Sequence, residues 1–217
     1  MTTQSICCLM IVASSLVSSL QGAAPPPAKP NILLMVGDDI GWGDIGCYGS
    51  KQIKTPNIDQ LATEGMRFTS GYVTAALCSP SRAAMLTGRY QQRNSLENNR
   101  LAETKNMGLD LNLKTLADVL GGAGYATGLV GKWHLGVGEN KEFTPLRRGF
   151  QEFFGFYSYE TSYTPASLIR GEEPVKEIRR STVAFAEEAC AFIDRHSDKP
   201  FFLEVAFNAA HLSLIHI

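Results

Sequence analysis

The sequence predicts an α/β fold in which a mostly parallel sheet is sandwiched by helices, and two observations carry that expectation. Short apolar runs at 31–36, 125–130 and 201–207 alternate with helical stretches at 55–65, 79–86, 113–120 and 182–195. Alternation of strands with helices builds a parallel sheet with helices on both faces. Charged residues also gather where the runs stop: Asp38 and Asp39 after the first, Lys132 and His134 after the second, His211 after the third. Open α/β sheets hold their ligands at that end of the strands.

The amino-terminal segment precedes this pattern. Residues 1–24 carry no Asp, Glu, Lys or Arg, and 6–20 form an apolar run broken by serines. With the small residues Gly22, Ala23 and Ala24 behind it, the segment reads as a secretory signal peptide, although it lacks the usual basic start. An uncleaved anchor is the other reading, but the run is short and serine-rich for a membrane span. Residues 25–30 are a Pro-rich, stiff linker into the fold. A secreted or periplasmic location follows, with no membrane span once the signal is removed.

Asn31 to Val36 is expected to be a fully buried strand, because it is apolar throughout. Thr55 and Pro56 open a helix that stops near Gly65, and 67–73 has the composition of a further strand. Between 113 and 120 the apolar positions 113, 116, 119 and 120 keep helical spacing, with Gly121 and Gly122 as the stop. Residues 136–180 are rich in Gly, Pro, charge and aromatics and read as long loops. A strong amphipathic helix over 182–195 and a buried strand over 201–207 complete the series. The 217 residues suffice for one sizeable core, and no internal repeat is visible. Net charge is −1, from 20 basic and 21 acidic residues, which argues against nucleic acid as a partner.

The most informative stretch is Leu77 to Gly88. It sets Cys78 just ahead of a helix start, with Ser79 as the cap, Pro80 in the first helical position and Arg82 four residues on. Such a helix start can face an anion. On its own the string also describes a buried cysteine leading an ordinary capped helix. Likewise Asp38-Asp39 alone could be a turn or cap, Lys132-x-His134 a solvated strand end, and Arg82 a surface ion pair.

Taken whole, the string resembles the signature of type I sulfatases, in which the cysteine of Cys-x-Pro-Ser-Arg is oxidised to formylglycine. Residues 124–134 are similar to the second signature of that family, and Asp38-Asp39 stands where the family keeps metal ligands. The resemblance runs from about 30 to 211. It implies an alkaline phosphatase/sulfatase-like fold and a sulfuric ester hydrolase that cleaves sulfate monoesters, of sulfated glycans or aryl sulfates.

The same resemblance implies roles for individual residues. The formylglycine derived from Cys78 is the nucleophile as its hydrate. One hydroxyl attacks sulfur and expels the alcohol; the other then loses a proton and pushes sulfate out, which a serine ester could not do. Asp38, Asp39 and the oxygen at position 78 belong to the metal site, which the family fills with Ca²⁺, Mg²⁺ being the other hard cation that suits it. Arg82 steadies the modified residue, Lys132 contacts sulfate and the diol, and His134 is a candidate base. The spacing of these residues adds that, if the segment is extended, Lys132 and His134 point to the same side, while Trp133 points the other way and packs. His211 touches the leaving-group oxygen or sulfate, although relatives usually flank it with prolines and this chain has Ala210 and Ser213. His196 and His216 have surface or packing roles.

A formylglycine-generating enzyme is the implied partner. Residues 31–211 then form the N-terminal part of a catalytic domain whose C-terminal part is missing, and 212–217 form an atypical tail. Nothing after His211 matches the later Asp-Asn and Lys of the family site, so the resemblance implies a piece without full activity of its own. Two other functions fit the same residues: phosphonate or phosphate monoester hydrolysis, and a non-catalytic sulfated-glycan binder or inert fragment. Of the five cysteines, Cys7 and Cys8 fall in the leader. Cys47 and Cys190 are free or buried, or could pair if Cys78 is converted.

Overall fold

The computed structural model describes residues 29–99, 107–158, 167–177 and 179–211. The signal peptide, most of the Pro-rich linker and the tail expected from sequence lie outside the described residues. Among these residues six strands form one sheet: β1 (Ile32–Val36), β2 (Ala126–Lys132), β3 (Glu152–Phe156), β4 (Ser167–Arg170), β5 (Glu173–Lys176) and β6 (Phe201–Ala206). Their order is β1-β6-β2-β3-β4-β5. The first four are mutually parallel, and β4 and β5 add antiparallel at the far edge. The α/β expectation holds. Pro174 sits in β5, the edge strand among the described residues, where a missing N–H is best tolerated.

Among the described residues four α-helices accompany the sheet: α1 (Pro56–Glu64), α2 (Cys78–Thr87), α3 (Leu116–Gly122) and α4 (Ser181–Arg195). The apolar positions of α4 (Ala184, Phe185, Ala189 and Phe192) recur at helical spacing and face Val130, Phe154, Phe201 and Leu203 on one side of the sheet. On the other side Ala83 and Leu86 of α2 and Ala117 of α3 pack with Leu129, Trp133, Phe202 and Ala206. Covered on both faces, β2 and β6 are buried along their whole length, which is why they read as nearly continuous apolar runs.

Several expectations are corrected. β1 is not fully buried: Leu33 and Met35 point away from the core and are exposed, while Ile32, Leu34 and Val36 are half-buried, because no described element covers that face. Residues 67–73 form no strand; Phe68, Tyr72 and Val73 are exposed, and strand-like composition does not make a strand without a neighbour to pair with. The loops expected over 136–180 contain β3, β4 and β5. The run Phe153-Phe154-Gly155-Phe156 is apolar enough to pair beside β2. The third helix starts at 116 rather than 113, because Thr115 and Asp118 cap it reciprocally, and it includes Gly121 and Gly122. The motif helix begins at Cys78 itself. Leu77, in extended conformation, occupies the cap position, so Ser79 and Pro80 lie inside the first turn.

Close strand spacing requires glycine at Gly131. Its φ is +111°, and a Cβ there would come within 2.0 Å of the Ala206 carbonyl oxygen on β6. Gly131→Ala is expected to cost about 2 kcal/mol or more of stability. Gly122→Ala, at a helical position with nothing within 4 Å, is expected to be neutral or to gain up to about 1 kcal/mol. Urea unfolding of both variants checks the contrast.

Candidate active site

Parallel strands bring their carboxyl ends to one side of the sheet. Asp38 follows β1, Lys132 ends β2, and His211 follows β6, so the sheet alone gathers three of the residues singled out from sequence. The Asp38 N–H donates to the Ala209 carbonyl at 3.0 Å, which ties the loops after β1 and β6 together. The fourth contribution is the start of α2. There the Ser79 N–H donates to Asn99 Oδ1 at 3.1 Å and the Ser81 hydroxyl to the Ala75 carbonyl at 2.7 Å. Gly88 ends the helix in left-handed conformation, its N–H donating to the Ala84 carbonyl at 2.8 Å.

At the centre lies the Asp38 carboxylate, buried and held by a cation on each oxygen. Lys132 Nζ donates to Oδ2 at 2.6 Å, and Arg82 donates to Oδ1 at 3.3 Å. Arg82 also donates to the Lys132 carbonyl at 3.0 Å, so α2, β1 and β2 meet in one network. All three side chains are almost wholly removed from water. Burial alone would raise the pKa of Asp38. Arg82, then Lys132 by hydrogen bond and charge, and then His211 overcome it, so the carboxyl sits below its ordinary range. The surface-ion-pair alternative for Arg82 is thereby excluded.

Asp38, Cys78 and His211 place one ligand atom each within 4.8 Å of one another, a grouping able to hold a metal ion. Burial pushes the Cys78 thiol up, Lys132 pulls it down, Asp38 raises it again, and the net direction is upward. A thiol held protonated is a poor nucleophile. Asp39 stands apart from the grouping: it is exposed, with φ +58°. It still borders the same hollow of about 220 Å³, together with Asp38, Cys78, Ser81 and Arg82.

His134 is buried, but its backbone departs from the strand. β2 stops at Lys132, and His134 has φ +60° with its N–H on the Tyr157 carbonyl. The simple alternation that would put Lys132 and His134 on one side is therefore not kept. Trp133 packs in the core, as expected, with its indole N–H donating to the Gly136 and Phe143 carbonyls. His196 lies on Glu152 at 2.6 Å and against the Phe192 ring, outside the site. Cys47, Cys78 and Cys190 are all free thiols.

Two features were not singled out from sequence. Glu204, in the middle of β6, is fully buried, and its pKa is raised by burial to about 7 against a lowering by Arg82. A lone acid inside an apolar run was the available signal. Asn208, just past β6, is buried and accepts a hydrogen bond from the Ser181 hydroxyl at 2.8 Å. A larger hollow of about 290 Å³ borders β2, β3 and α4, but its charges satisfy one another: Arg170 with Glu188 at 2.7 Å, and Arg195 with Glu152 at 2.6 Å and with Glu188 at 2.9 Å. It carries no comparable chemistry.

Removing one cation should leave the Asp38 charge stranded. Lys132→Met is expected to cost about 3–5 kcal/mol near neutral pH, as for other broken buried pairs. The contribution of Asp38 is present above its ordinary value of 3.8 and is lost as pH falls through its lowered folded value. The gap between variant and wild type should therefore narrow on acidification, which urea unfolding at neutral and acid pH measures.

Known proteins resemble this chain in sequence and fold. The Sulfatase family model matches residues 30–214. The chain is 39% identical to human arylsulfatase A over 225 residues, which is 91% of this chain and 44% of that protein. It is 40% identical to the dog N-acetylgalactosamine-6-sulfatase, over 88% of this chain and 41% of that protein. Among solved structures, Ps i-CgsB in complex with k-i-k-neocarrahexaose superposes with a TM-score of 0.79 at 36% identity, over 86% of this chain and 46% of the other. The chain thus spans less than half the length of these relatives. The match extends across the sheet, the Cys78 helix and the loops that carry Asp38, Lys132 and His211, and it establishes that this chain belongs to the sulfatase family.

Proposed function

We propose that this chain supplies the nucleophile-bearing part of a sulfuric ester hydrolase acting on sulfate monoesters of glycans. One observation carries the reading: Cys78 opens a helix beside a buried carboxylate that is clamped by Lys132 and Arg82 and flanked by His211. A sulfate ester is shielded by its own negative oxygens, so its hydrolysis needs fixed cations around the anion and an oxygen nucleophile aimed at sulfur. Lys132 and Arg82 provide the cations. In this reading the attack belongs to a formylglycine that a dedicated generating enzyme makes from Cys78, not to the thiol, whose pKa burial pushes up.

In this reading, Arg82 fixes the position of residue 78 through the network to Asp38 and the Lys132 carbonyl. Lys132 binds a sulfate oxygen. His134 accepts a proton from a hydroxyl on Cβ of residue 78, and His211 holds the leaving-group oxygen. Asp38, Asp39 and the oxygen at position 78 are hard donors suited to Ca²⁺, or to Mg²⁺, although Ca²⁺ takes roughly six to eight oxygens and these residues provide only some of them. When bound, the metal draws charge from a sulfate oxygen and favours the ionised nucleophile.

The substrate class follows the relatives. One is named for a 6-sulfate of N-acetylgalactosamine, and another holds a neocarrahexaose. A sulfated saccharide is therefore the proposed substrate. Residues 1–24, as a cleaved leader, direct the protein to the periplasm or outside the cell, where such polymers occur. No helix among the described residues is long and apolar enough to cross a membrane.

Mass analysis of the tryptic peptide holding Cys78 should show the side chain CH₂–SH replaced by CHO when a modifying enzyme is co-expressed; an unmodified thiol there would overturn the reading. Cys78→Ala should drop turnover of an aryl sulfate to background, with an unchanged circular dichroism spectrum, and an aryl phosphonate assayed in parallel distinguishes the related ester class. Calcium should raise the melting temperature of the wild type and not that of Asp38→Asn.

A further inference from the structure

Conversion of Cys78 changes the element that faces Asp38 and His211, and the thiol form has a donor set of its own. Cys78 opens α2, Asp38 follows β1 and His211 follows β6, so three segments far apart in sequence each bring one ligand atom. These are a sulfur, a carboxylate oxygen and an imidazole nitrogen, and they lie within 4.8 Å of one another. Donors around a tetrahedral ion, each at about 2.0–2.3 Å from it, stand about 3.3–3.8 Å apart, so side-chain shifts of about 1–1.5 Å close the grouping on an ion. The loops that carry two of the ligands are already tied: the Asp38 N–H donates to the Ala209 carbonyl at 3.0 Å, and the His211 N–H to the Asn208 carbonyl at 2.9 Å. Asp38 and Cys78 also line the hollow of about 220 Å³, which gives an ion access. A sulfur and an imidazole beside a single carboxylate do not suit Ca²⁺, which takes roughly six to eight oxygens. Three protein ligands of this kind, with a fourth position left for water, suit Zn²⁺.

We propose that the unconverted chain holds Zn²⁺ through Cys78 Sγ, Asp38 and His211, and that conversion of residue 78 exchanges this site for the hard-cation site. The first part stands on the grouping alone; the exchange rests on the formylglycine reading of Cys78. On binding, the sulfur–hydrogen bond of Cys78 breaks, a sulfur–zinc bond forms and the proton leaves to solvent, with no change of oxidation state. Once residue 78 carries oxygen in place of sulfur, the soft donor is gone, and oxygens with one imidazole remain.

The cations on Asp38 set how tightly the ion is held. Lys132 Nζ at 2.6 Å and Arg82 at 3.3 Å take one site on each Asp38 oxygen, and a carboxylate has about four such sites. His211 binds a metal as the neutral imidazole, and Asp39 is solvated at the rim. Before zinc enters, the thiol, Asp38, Lys132 and Arg82 sum to a single positive charge; with zinc on the thiolate the sum is one unit higher. Lys132 therefore repels the ion, and the affinity lies below that of a closed four-ligand zinc site.

Protein made without a modifying enzyme tests the site, with Co²⁺ and Zn²⁺ as the probes. Co²⁺ should give a thiolate-to-cobalt charge-transfer band and the visible absorption of a four-coordinate ion, both abolished by Zn²⁺ and unaffected by Ca²⁺. Cys78→Ser, which keeps the size of the side chain, should lose the charge-transfer band, and His211→Ala should weaken Co²⁺ binding by about tenfold or more. At Zn²⁺ about ten times its dissociation constant, alkylation of Cys78 by iodoacetamide should slow about tenfold, while the free thiols Cys47 and Cys190 react as before. The wild-type spectrum needs no variant: absence of the charge-transfer band overturns the proposal, and so does a band that Cys78→Ser retains. Protein carrying formylglycine at position 78 should show no such band and should bind Co²⁺ more weakly. Equal Co²⁺ affinity of the two forms overturns the exchange while leaving the formylglycine reading standing. A band in the unconverted protein, with a peptide mass showing that position 78 is never converted, overturns that reading and the exchange while leaving the zinc site standing.

Discussion

The Asp38 carboxylate, held between an ammonium and a guanidinium out of reach of water, is the constraint on which the rest of the site depends. Neither partner is near it in sequence: Arg82 is 44 residues away and Lys132 is 94. Such a group is stable in the interior only if both oxygens are satisfied and the two cations are themselves fixed. Arg82 is fixed by the Lys132 carbonyl, and Lys132 by its place as the last residue of β2. The network therefore determines where α2 sits against the sheet, and with it where Cys78 opens the helix.

The sheet makes this convergence possible. Parallel pairing of β1, β6 and β2 aligns their carboxyl ends, and burial on both faces fixes their register through Phe202, Leu203, Leu129 and Val130. Gly131 and Gly155 allow backbones to approach where a side chain would collide with a neighbouring strand. The price of this packing is that a polar side chain inside it has few partners, and Glu204 shows the consequence. Burial raises its pKa to about 7, against a lowering by Arg82.

Charge is distributed unevenly over the molecule in a way that fits a site for an anion. Around α4 and β3 the acids and bases answer one another on the surface, as Glu152 does with Arg195 and His196, and such exposed pairs contribute little. Around Cys78 two cations meet one buried carboxylate, with His211 beside it. The imbalance is local, and it is invisible in a chain whose overall charge is close to zero.

The sequence by itself determined the alternation of strands and helices, the buried runs of β2 and β6, and the family of the Cys78 string, because apolar periodicity and an ordered motif are local properties of the chain. It could not tell that β1 leaves Leu33 and Met35 exposed, that 67–73 finds no partner strand, or that the aromatic stretch after 151 joins the sheet, since pairing depends on neighbours far away in sequence. It named Asp38, Asp39, Cys78, Arg82, Lys132, His134 and His211 as a set. Only the tertiary structure decided which of them meet: Asp38, Cys78 and His211 in one grouping, Arg82 and Lys132 on the carboxylate, Asp39 at the rim, and His134 turned by a left-handed backbone. Distances between side chains on different strands are set by register and burial, and those are properties of the packed sheet rather than of any one segment.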